Sequence, residues 1–200
     1  EYDTGSDIEA SPLLFEGSLY IGTIDGVFFA LEAATGRPRW RYATDGDIMG
    51  SANAFTDPAT GDRLVLVGSY DTNMYCFEAA TGEPKWTVPT DYYINGTPAT
   101  DGRHIVFGGC DEMLHIVDAS EGVKTGAVWA GSYIAGSAAL VDGRAYVGQY
   151  GGKLVCVDIA GETVVWEYGD PRGGAGFFSS PAVDADRVYI GSRDRSLHCI

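Results

Sequence analysis

A phrase that recurs about every forty residues constrains this sequence more than any other feature. Each copy holds a short β-type run that ends in Gly and a later run that ends in Trp, as in "LYIGTIDGVFFALEAATGRPRW" and "LVLVGSYDTNMYCFEAATGEPKW". The tryptophans that end the four copies are Trp40, Trp86, Trp129 and Trp166. Self-similarity at this period is typical of a repeat architecture, in which each unit buries its apolar faces against its neighbours.

Each unit contains four short segments with strand character. Strand A is a Ser/Thr-Pro/Ala run such as "SPLL", strand B is the run that ends in Gly, strand C resembles "FFALE", and strand D begins near the Trp. Turn signals such as "DG", "TG" and "EG" separate the segments, which favours antiparallel hairpins. No stretch shows a sustained helical period. The sequence therefore predicts an all-β fold, a β-propeller of four-stranded antiparallel blades.

The repeats predict a single domain, residues 1–200, with five blades. The predicted blades are residues 11–50, 51–96, 97–136 and 137–179, and a fifth made of 180–200 plus 1–10. The opening "EYDTGSDI" aligns with "RYATDGDI" after Trp40, so it corresponds to a strand D. We expect the N-terminal strand to pair with the C-terminal three strands and close the ring, which removes its open edges. The alternative is an open arc of a larger ring.

The quoted phrases resemble the repeat of pyrroloquinoline-quinone (PQQ) enzymes and of their non-catalytic relatives, such as the propeller lipoproteins of the outer-membrane β-barrel assembly machinery. The resemblance covers essentially the whole chain. It implies a propeller of seven or eight blades and an extracytoplasmic location, periplasmic or secreted, for which the sequence itself gives no signal. It also implies that the repeated Trp packs between neighbouring blades. PQQ dehydrogenases carry two adjacent cysteines, and this sequence has none.

We therefore expect Trp40, Trp86, Trp129 and Trp166 to be structural and to lie between blades. Cys76, Cys156 and Cys199 share one position of strand C in three blades, where equivalent residues are too far apart for a disulfide. They are expected to be small buried hydrophobic residues. Cys110 lies in a B–C turn instead, as a free surface thiol or a reactive one.

The charge excludes some classes of partner. The chain has 28 acidic and 13 basic residues and a net charge of −15. This field repels a phosphate backbone, and no cluster of Lys and Arg offers a local exception, so we expect no nucleic-acid partner. No apolar run approaches the roughly 18 residues that a membrane span needs, so we expect no membrane span either.

The sequence offers little support for catalysis or for a metal. His104, His115 and His198 fall within strands, and no nucleophile elbow, metalloprotease motif or P-loop occurs. Acidic residues recur in the B–C turns, namely Asp25, Asp71, Asp111 and Asp194. A turn Asp that accepts hydrogen bonds from its own backbone explains them better than calcium, because no calcium-loop motif is present. We predict no catalytic residue, no metal and no cofactor, with PQQ plus calcium as the testable alternative.

One end of the predicted channel is richer in binding chemistry than the other. The D–A loops and B–C turns emerge on the same face and bring together aromatic and acidic residues. The candidate ligand-binding residues are Tyr70, Tyr92, Tyr93, Asn95, Tyr133, Tyr150, Phe177, Asp47 and Asp91. One hydrophobic residue repeats in every D–A loop and is expected to pack beneath it: Ile8, Ile48, Ile94, Ile134 and Phe178.

These features favour a function without catalysis. We expect a propeller that acts as a binding or scaffold module and uses this aromatic, acidic face to bind a protein, a peptide or a small molecule. The chain is expected to be a monomer or a module of a larger protein. The alternative is a fragment or relative of a PQQ-dependent dehydrogenase.

Overall fold

The computed structural model describes residues 1–170 and 172–200, in which nineteen strands and no helix occur. None of these residues belongs to a helix of the length and apolar character that crossing a membrane requires. The strands form five separate antiparallel sheets in chain order, which we call blades 1 to 5. The all-β class and the count of five blades are therefore confirmed.

The strand bounds follow the repeat. Blade 1 contains β1 (Leu13–Phe15), β2 (Ser18–Gly22), β3 (Val27–Glu32) and β4 (Pro38–Ala43). Blade 2 contains β5 (Asn53–Thr56), β6 (Arg63–Gly68), β7 (Asn73–Glu78) and β8 (Pro84–Pro89). Blade 3 contains β9 (Ala99–Thr100), β10 (His104–Gly108), β11 (Met113–Asp118) and β12 (Lys124–Trp129).

Blade 4 contains β13 (Ala139–Val141), β14 (Arg144–Gly148), β15 (Lys153–Asp158) and β16 (Thr163–Gly169). Blade 5 contains only β17 (Ala182–Asp184), β18 (Arg187–Gly191) and β19 (Leu197–Cys199). Tight turns join strands A and B: Glu16 and Gly17 have φ of 49° and 71°. Two successive positive φ values define the type I′ turn, whose twist matches that of the strands it joins.

The hydrophobic core lies between the blades. In blades 1 to 4, strands B and C are buried on both faces, so alternate residues of one strand face different neighbours. In β3, Phe28 and Ala30 pack with Val65 and Phe77 of blade 2. Equivalent clusters join blades 2 and 3, 3 and 4, and 4 and 5. Each blade is thus held by its neighbours, as expected for a repeat fold.

The predicted closure of the ring is wrong. Blade 5 has three strands, and residues 1–12 form no strand in this structure. No hydrogen bond joins residues 1–12 to residues 180–200, all of which the structure describes. The N-terminal segment packs instead on blade 1, where the rings of Tyr2 and Phe29 lie 5.8 Å apart. The five blades of the described residues therefore form an open arc, because no strand D joins β19.

Two of the four tryptophans lie between blades with the same geometry. Trp40 donates a hydrogen bond from Nε1 to the carbonyl of Ala79 in the next blade, at 2.9 Å. Its ring covers Gly82, where a Cβ would come within 2.5 Å of the indole. Trp86 repeats this arrangement with the carbonyl of Ala119, at 3.1 Å. Trp166 packs against Tyr146, with ring centroids 6.0 Å apart.

The expectation for Trp129 is wrong. In blades 1, 2 and 4 the Trp pairs with the fourth residue of strand C, but in blade 3 that residue, Ile116, pairs with Gly126. Trp129 lies three residues later and is 63% exposed. The reason lies in blade 4, whose turn has Glu162 where blades 2 and 3 have Gly82 and Gly122. The Glu162 side chain occupies the space beside Gly126, so no room is left for an indole.

The cysteines of strand C are buried in blades 2 and 4 and exposed in blade 5. Cys76 and Cys156 are fully buried in strand C, as expected. Cys199 is exposed, which corrects the expectation for blade 5. The described residues supply only three strands to blade 5, and no strand D follows β19.

Candidate binding face

A repeated hydrogen bond builds the face formed by the D–A loops and B–C turns. In blade 2 the backbone N–H of Tyr70 donates to the carbonyl of Asp47, at 2.8 Å. The N–H of Cys110 donates likewise to the Tyr93 carbonyl at 2.9 Å, and that of Tyr150 donates to the Tyr133 carbonyl at 2.9 Å. Each B–C turn is therefore fixed to the D–A loop that precedes its blade, which holds the side chains between them in place.

A hydrophobic residue anchors each D–A loop from below. Ile48, Ile94 and Ile134 are fully buried and lie against the Gly that ends strand B of the preceding blade. In the fourth loop Phe177 takes this place: it is 3% exposed and its Cβ contacts the position of Gly148. From the sequence, Phe178 was expected beneath the loop and Phe177 in the binding face. The structure reverses this, because Phe177 is buried and Phe178 lies nearer the surface.

The first aromatic cluster lies between blades 2 and 3. Tyr70 and Tyr93 stack with ring centroids 4.8 Å apart and planes 9° apart. Tyr92 lies against Tyr93 at 4.6 Å, and these last two are 50% and 41% exposed. Burial, together with the neighbouring acidic groups, raises the pKa of Tyr70. The phenol therefore stays neutral and can act as a hydrogen-bond donor to a ligand.

The second aromatic cluster lies at blades 4 and 5. Tyr150 contacts Tyr133 edge to face at 6.2 Å and Phe178 at 4.2 Å. The Arg193 guanidinium lies 4.0 Å above the Phe178 ring, a cation–π geometry. Arg193 was not among the predicted site residues, although its place in the B–C turn "SRDR" is the signal that would have found it.

Polar groups border the first cluster. Asp47 and Asp91 are exposed beside it. Asn95 donates from Nδ2 to the Cys110 sulfur at 3.2 Å, while its buried Oδ1 has no protein partner. Burial raises the pKa of the Cys110 thiol, so it is protonated near neutral pH. A protonated thiol is a poor nucleophile, which favours the free-thiol interpretation over the reactive one.

The acidic residues of the B–C turns fix the turns to strand C. Asp71 accepts hydrogen bonds from the Asn73 N–H at 3.0 Å and from the Tyr75 hydroxyl at 2.6 Å. Asp111 pairs with His115 at 2.7 Å, and both side chains are almost fully buried. Residues 1–170 and 172–200 contain no group of three or more side chains arranged to bind a metal. The turn carboxylates thus satisfy local donors, as turn Asp residues commonly do.

A cavity of about 410 Å³ opens between blades 4 and 5 on this face. A hydrogen-bond chain lines it: Asp194 bonds to Nε2 of His198 at 2.8 Å, and the Tyr168 hydroxyl to Nδ1 at 3.1 Å. Although desolvation acts in the opposite direction, hydrogen bonds from Ser196 and His198 hold the pKa of Asp194 below its ordinary value. Both nitrogens of His198 are engaged, so the chain joins strand D of blade 4 to strand C and the B–C turn of blade 5.

Trp129 adds an exposed indole at the outer rim of the same face. Its Nε1 donates to the Glu112 carboxylate in the B–C turn at 3.0 Å. The sequence spacing could have shown that Trp129 differs from the other tryptophans. Trp40 and Trp86 follow the turn Gly by four residues, whereas Trp129 follows Gly122 by seven. The face therefore has one large aromatic residue more than the sequence predicted.

The comparisons with known proteins assign a family. A sequence model of the family described as outer membrane protein assembly factor BamB matches residues 3–125 and 124–200. The chain belongs to the BamB family. The PQQ-like propeller repeat inferred from the tryptophan phrases is thereby confirmed. No curated protein matches the sequence.

Solved structures share the fold of this BamB-family chain. BamB from Moraxella catarrhalis superposes with a TM-score of 0.80 at 22% identity, over 99% of this chain and 59% of that one. The computationally designed Ika8 protein superposes with a TM-score of 0.80 at 13% identity, over 94% of this chain and 56% of that one. The chain thus spans less than two thirds of either structure.

Proposed function

We propose that this chain is a non-catalytic propeller module that binds a protein partner through its D–A and B–C face. The observation that carries the proposal is the pair of exposed aromatic clusters, around Tyr93 and around Tyr150, on one rigid face. Exposed aromatic rings beside charged groups are enriched at the energetic centres of protein interfaces. A loop frame fixed by backbone hydrogen bonds lowers the entropic cost of binding.

The family supports the type of partner. Its description names an assembly factor for outer-membrane proteins, so we propose that this chain works outside the cytoplasm and holds a component or client of such an assembly. The exposed carboxylates Asp47 and Asp91 and the net charge of −15 favour a partner segment that carries Lys or Arg. Such a segment would place its cations near the tyrosine rings and the carboxylates.

The histidines support a role without catalysis. A general base must lie within hydrogen-bond reach of the substrate proton, which a fully buried imidazole does not. His115 is 1% exposed and bonds Asp111 through Nε2, and His198 joins Tyr168 of blade 4 to Asp194 of blade 5. These side chains therefore favour a structural role in which they hold turns and strands together.

Panning a random-peptide phage library on the immobilised chain tests this proposal. We expect enriched peptides to carry Lys or Arg and to lose at least tenfold in affinity for the Tyr93→Ser and Tyr150→Ser variants, the loss of about one buried aromatic contact. Val123→Ser is the matched control, because Val123 is 57% exposed but lies in a C–D turn at the opposite end of the channel. Equal affinity for all three variants would reject this face as the binding site.

A further inference from the structure

Trp129 leaves a large indole in water on a blade that is complete and has a complete blade on each side. Blades 2, 3 and 4 each have four paired strands. Gly126 takes the strand position that Trp40 and Trp86 have in blades 1 and 2, so Trp129 does not fill a wedge between blades. The ring is 63% exposed, and Trp is among the residues most enriched at the energetic centres of protein interfaces.

Strand pairing places the indole on the side of blade 3 that faces blade 2. Trp129 pairs with Met113 of β11, and paired residues project to the same side of a sheet. Alternation along β11 puts Met113 on the side of Val117, which lies in the core between blades 2 and 3. The D–A loop that joins blade 2 to blade 3 carries Asp91. The indole therefore lies on the side of blade 3 from which this loop arrives.

The Glu112 carboxylate holds the indole by its edge. Nε1 of Trp129 donates to it at 3.0 Å, and the Ala130 N–H donates to the Glu112 carbonyl at 2.9 Å, so the ring and the turn are fixed to each other. A hydrogen bond to an anion is stronger than one to a neutral acceptor, and it leaves more electron density on the indole. The face of an electron-rich ring attracts cations. A cation on this ring also lies close to a carboxylate.

A second carboxylate borders the same turn. The Cys110 N–H donates to the Tyr93 carbonyl at 2.9 Å, so the loop that carries Asp91 is fixed to the turn that carries Glu112. Neither this loop nor this turn contains Lys or Arg. Within the part of the chain that the structure describes, no ion pair involves either carboxylate. The indole and the two carboxylates thus suit a cation that the described residues do not supply.

We propose that Trp129, Glu112 and Asp91 form a subsite for one Arg side chain of the bound partner. The guanidinium lies flat on the indole and donates hydrogen bonds to the carboxylates, while its aliphatic stem covers the rest of the ring. Arg suits the subsite better than Lys, because a planar guanidinium stacks on an aromatic face and still donates in its own plane. The inference rests on the proposed function, since the subsite lies at the outer rim of the proposed binding face, and it names the group of the partner that is recognised.

Isothermal titration calorimetry with N-acetylated tetra-arginine amide, at one fixed salt concentration, tests the subsite. We expect saturable binding to the wild-type chain and weaker binding of the tetra-lysine peptide. Trp129→Ser and Glu112→Gln should each weaken tetra-arginine binding about fivefold or more, through the loss of the cation–π contact or of the charge beside it. Glu112→Gln keeps an acceptor for Nε1, so its effect reports the charge and not the position of the ring.

Two further variants control for net charge and for folding. Glu121→Gln removes the same charge from the same blade, but Glu121 is exposed in the C–D turn at the opposite end of the channel, so binding should stay as in wild type. Glu112→Gly removes the side chain from a turn position where blades 1 and 4 have Gly26 and Gly152, with φ of 80° and 86°. This variant should fold like wild type and bind tetra-arginine at least as weakly as Glu112→Gln.

Titration of the same variants with the peptides selected on the chain separates a failure of the subsite from a failure of the proposed face. Affinity that falls for Tyr93→Ser but not for Trp129→Ser or Glu112→Gln would keep the face and overturn the subsite. Affinity that falls for the last two alone would support the subsite and remove Tyr93 from the binding site. The subsite is also overturned if wild type does not bind tetra-arginine, if it binds tetra-lysine as tightly, or if Glu121→Gln weakens binding as much as Glu112→Gln.

Discussion

At the scale of single residues, the contact between blades depends on a matched pair. A Trp in strand D needs a residue without a side chain in the turn of the next blade, as Trp40 has in Gly82 and Trp86 in Gly122. Blade 3 has the reverse pair, in which Gly126 faces the side chain of Glu162. The indole fills the wedge in one arrangement and the carboxylate side chain occupies it in the other.

Trp40→Ala should therefore lower the free energy of unfolding by about 3 kcal/mol, because it empties a packed wedge and removes the hydrogen bond to Ala79. Trp129→Ala should change it by no more than about 0.5 kcal/mol, since that ring is exposed. Urea denaturation of both variants gives the comparison. Equal losses would show that Trp129 also holds two blades together.

A second prediction at this scale concerns pH. Although burial alone would raise the pKa of Asp111, the hydrogen bond and charge of His115 hold it below the ordinary value. The folded chain thus binds fewer protons than the unfolded chain, so the stabilisation is complete above the unfolded pKa of about 3.9 and is lost as the pH falls through the folded pKa.

The Asp111→Asn variant should accordingly be less stable than wild type near neutral pH. Its denaturation midpoint should also fall less than that of wild type as the pH drops below about 4, where the wild-type carboxylate takes up its proton more readily in the unfolded chain. Thermal melts at each pH measure both differences. Parallel curves for the two proteins would show that this pair does not contribute to acid stability.

At the scale of strands and loops, the Gly that ends strand B allows the D–A loop to close over it. A Cβ at Gly108 would lie 2.4 Å from Ile134, whereas a Cβ at Gly191 would meet only the Ser179 hydroxyl at 3.3 Å. Gly108→Ala should cost about 1–3 kcal/mol of stability through overpacking. Gly191→Ala should change stability by about 0.5 kcal/mol or less.

Urea denaturation at low protein concentration checks this pair of variants. It also tests the open arc, because a closed ring would bury Ile8 on Gly191. In that case the two substitutions would destabilise the protein equally.

Much of this scale could be predicted from the sequence. The repeat of about forty residues predicted the positions of the strands. This was possible because alternating apolar residues and turn dipeptides depend only on local backbone geometry. The predicted positions of Trp129, Phe177 and Phe178 were wrong, because the repeats were aligned by residue type. Their true positions depend on spacing from the turn and on the neighbouring blade, as the Glu162 side chain shows beside Gly126.

At the scale of the whole molecule, closure could not be predicted in this way. The N-terminal segment has the sequence of a strand D and the packing of one on blade 1, where Tyr2 contacts Phe29. Whether it reaches β19 depends on the rotation from each blade to the next. That rotation depends on how neighbouring repeats pack, which the pattern of strands within one repeat does not encode.

The proposed non-catalytic role is tested at the scale of the whole molecule. Adding PQQ with calcium should leave both the absorbance of the quinone and the melting temperature of the chain unchanged. A saturable shift at micromolar quinone would support the alternative, a relative of the PQQ dehydrogenases, and would reject the non-catalytic account.

Hydroxyl-radical footprinting of the chain with and without a peptide selected on it tests the central claim most directly. We predict that oxidation of Tyr92, Tyr93 and Tyr150 falls several-fold in the complex while that of Leu197, an exposed side chain outside the face, is unchanged. Unchanged oxidation of the tyrosines, with protection elsewhere on the arc, would contradict the account.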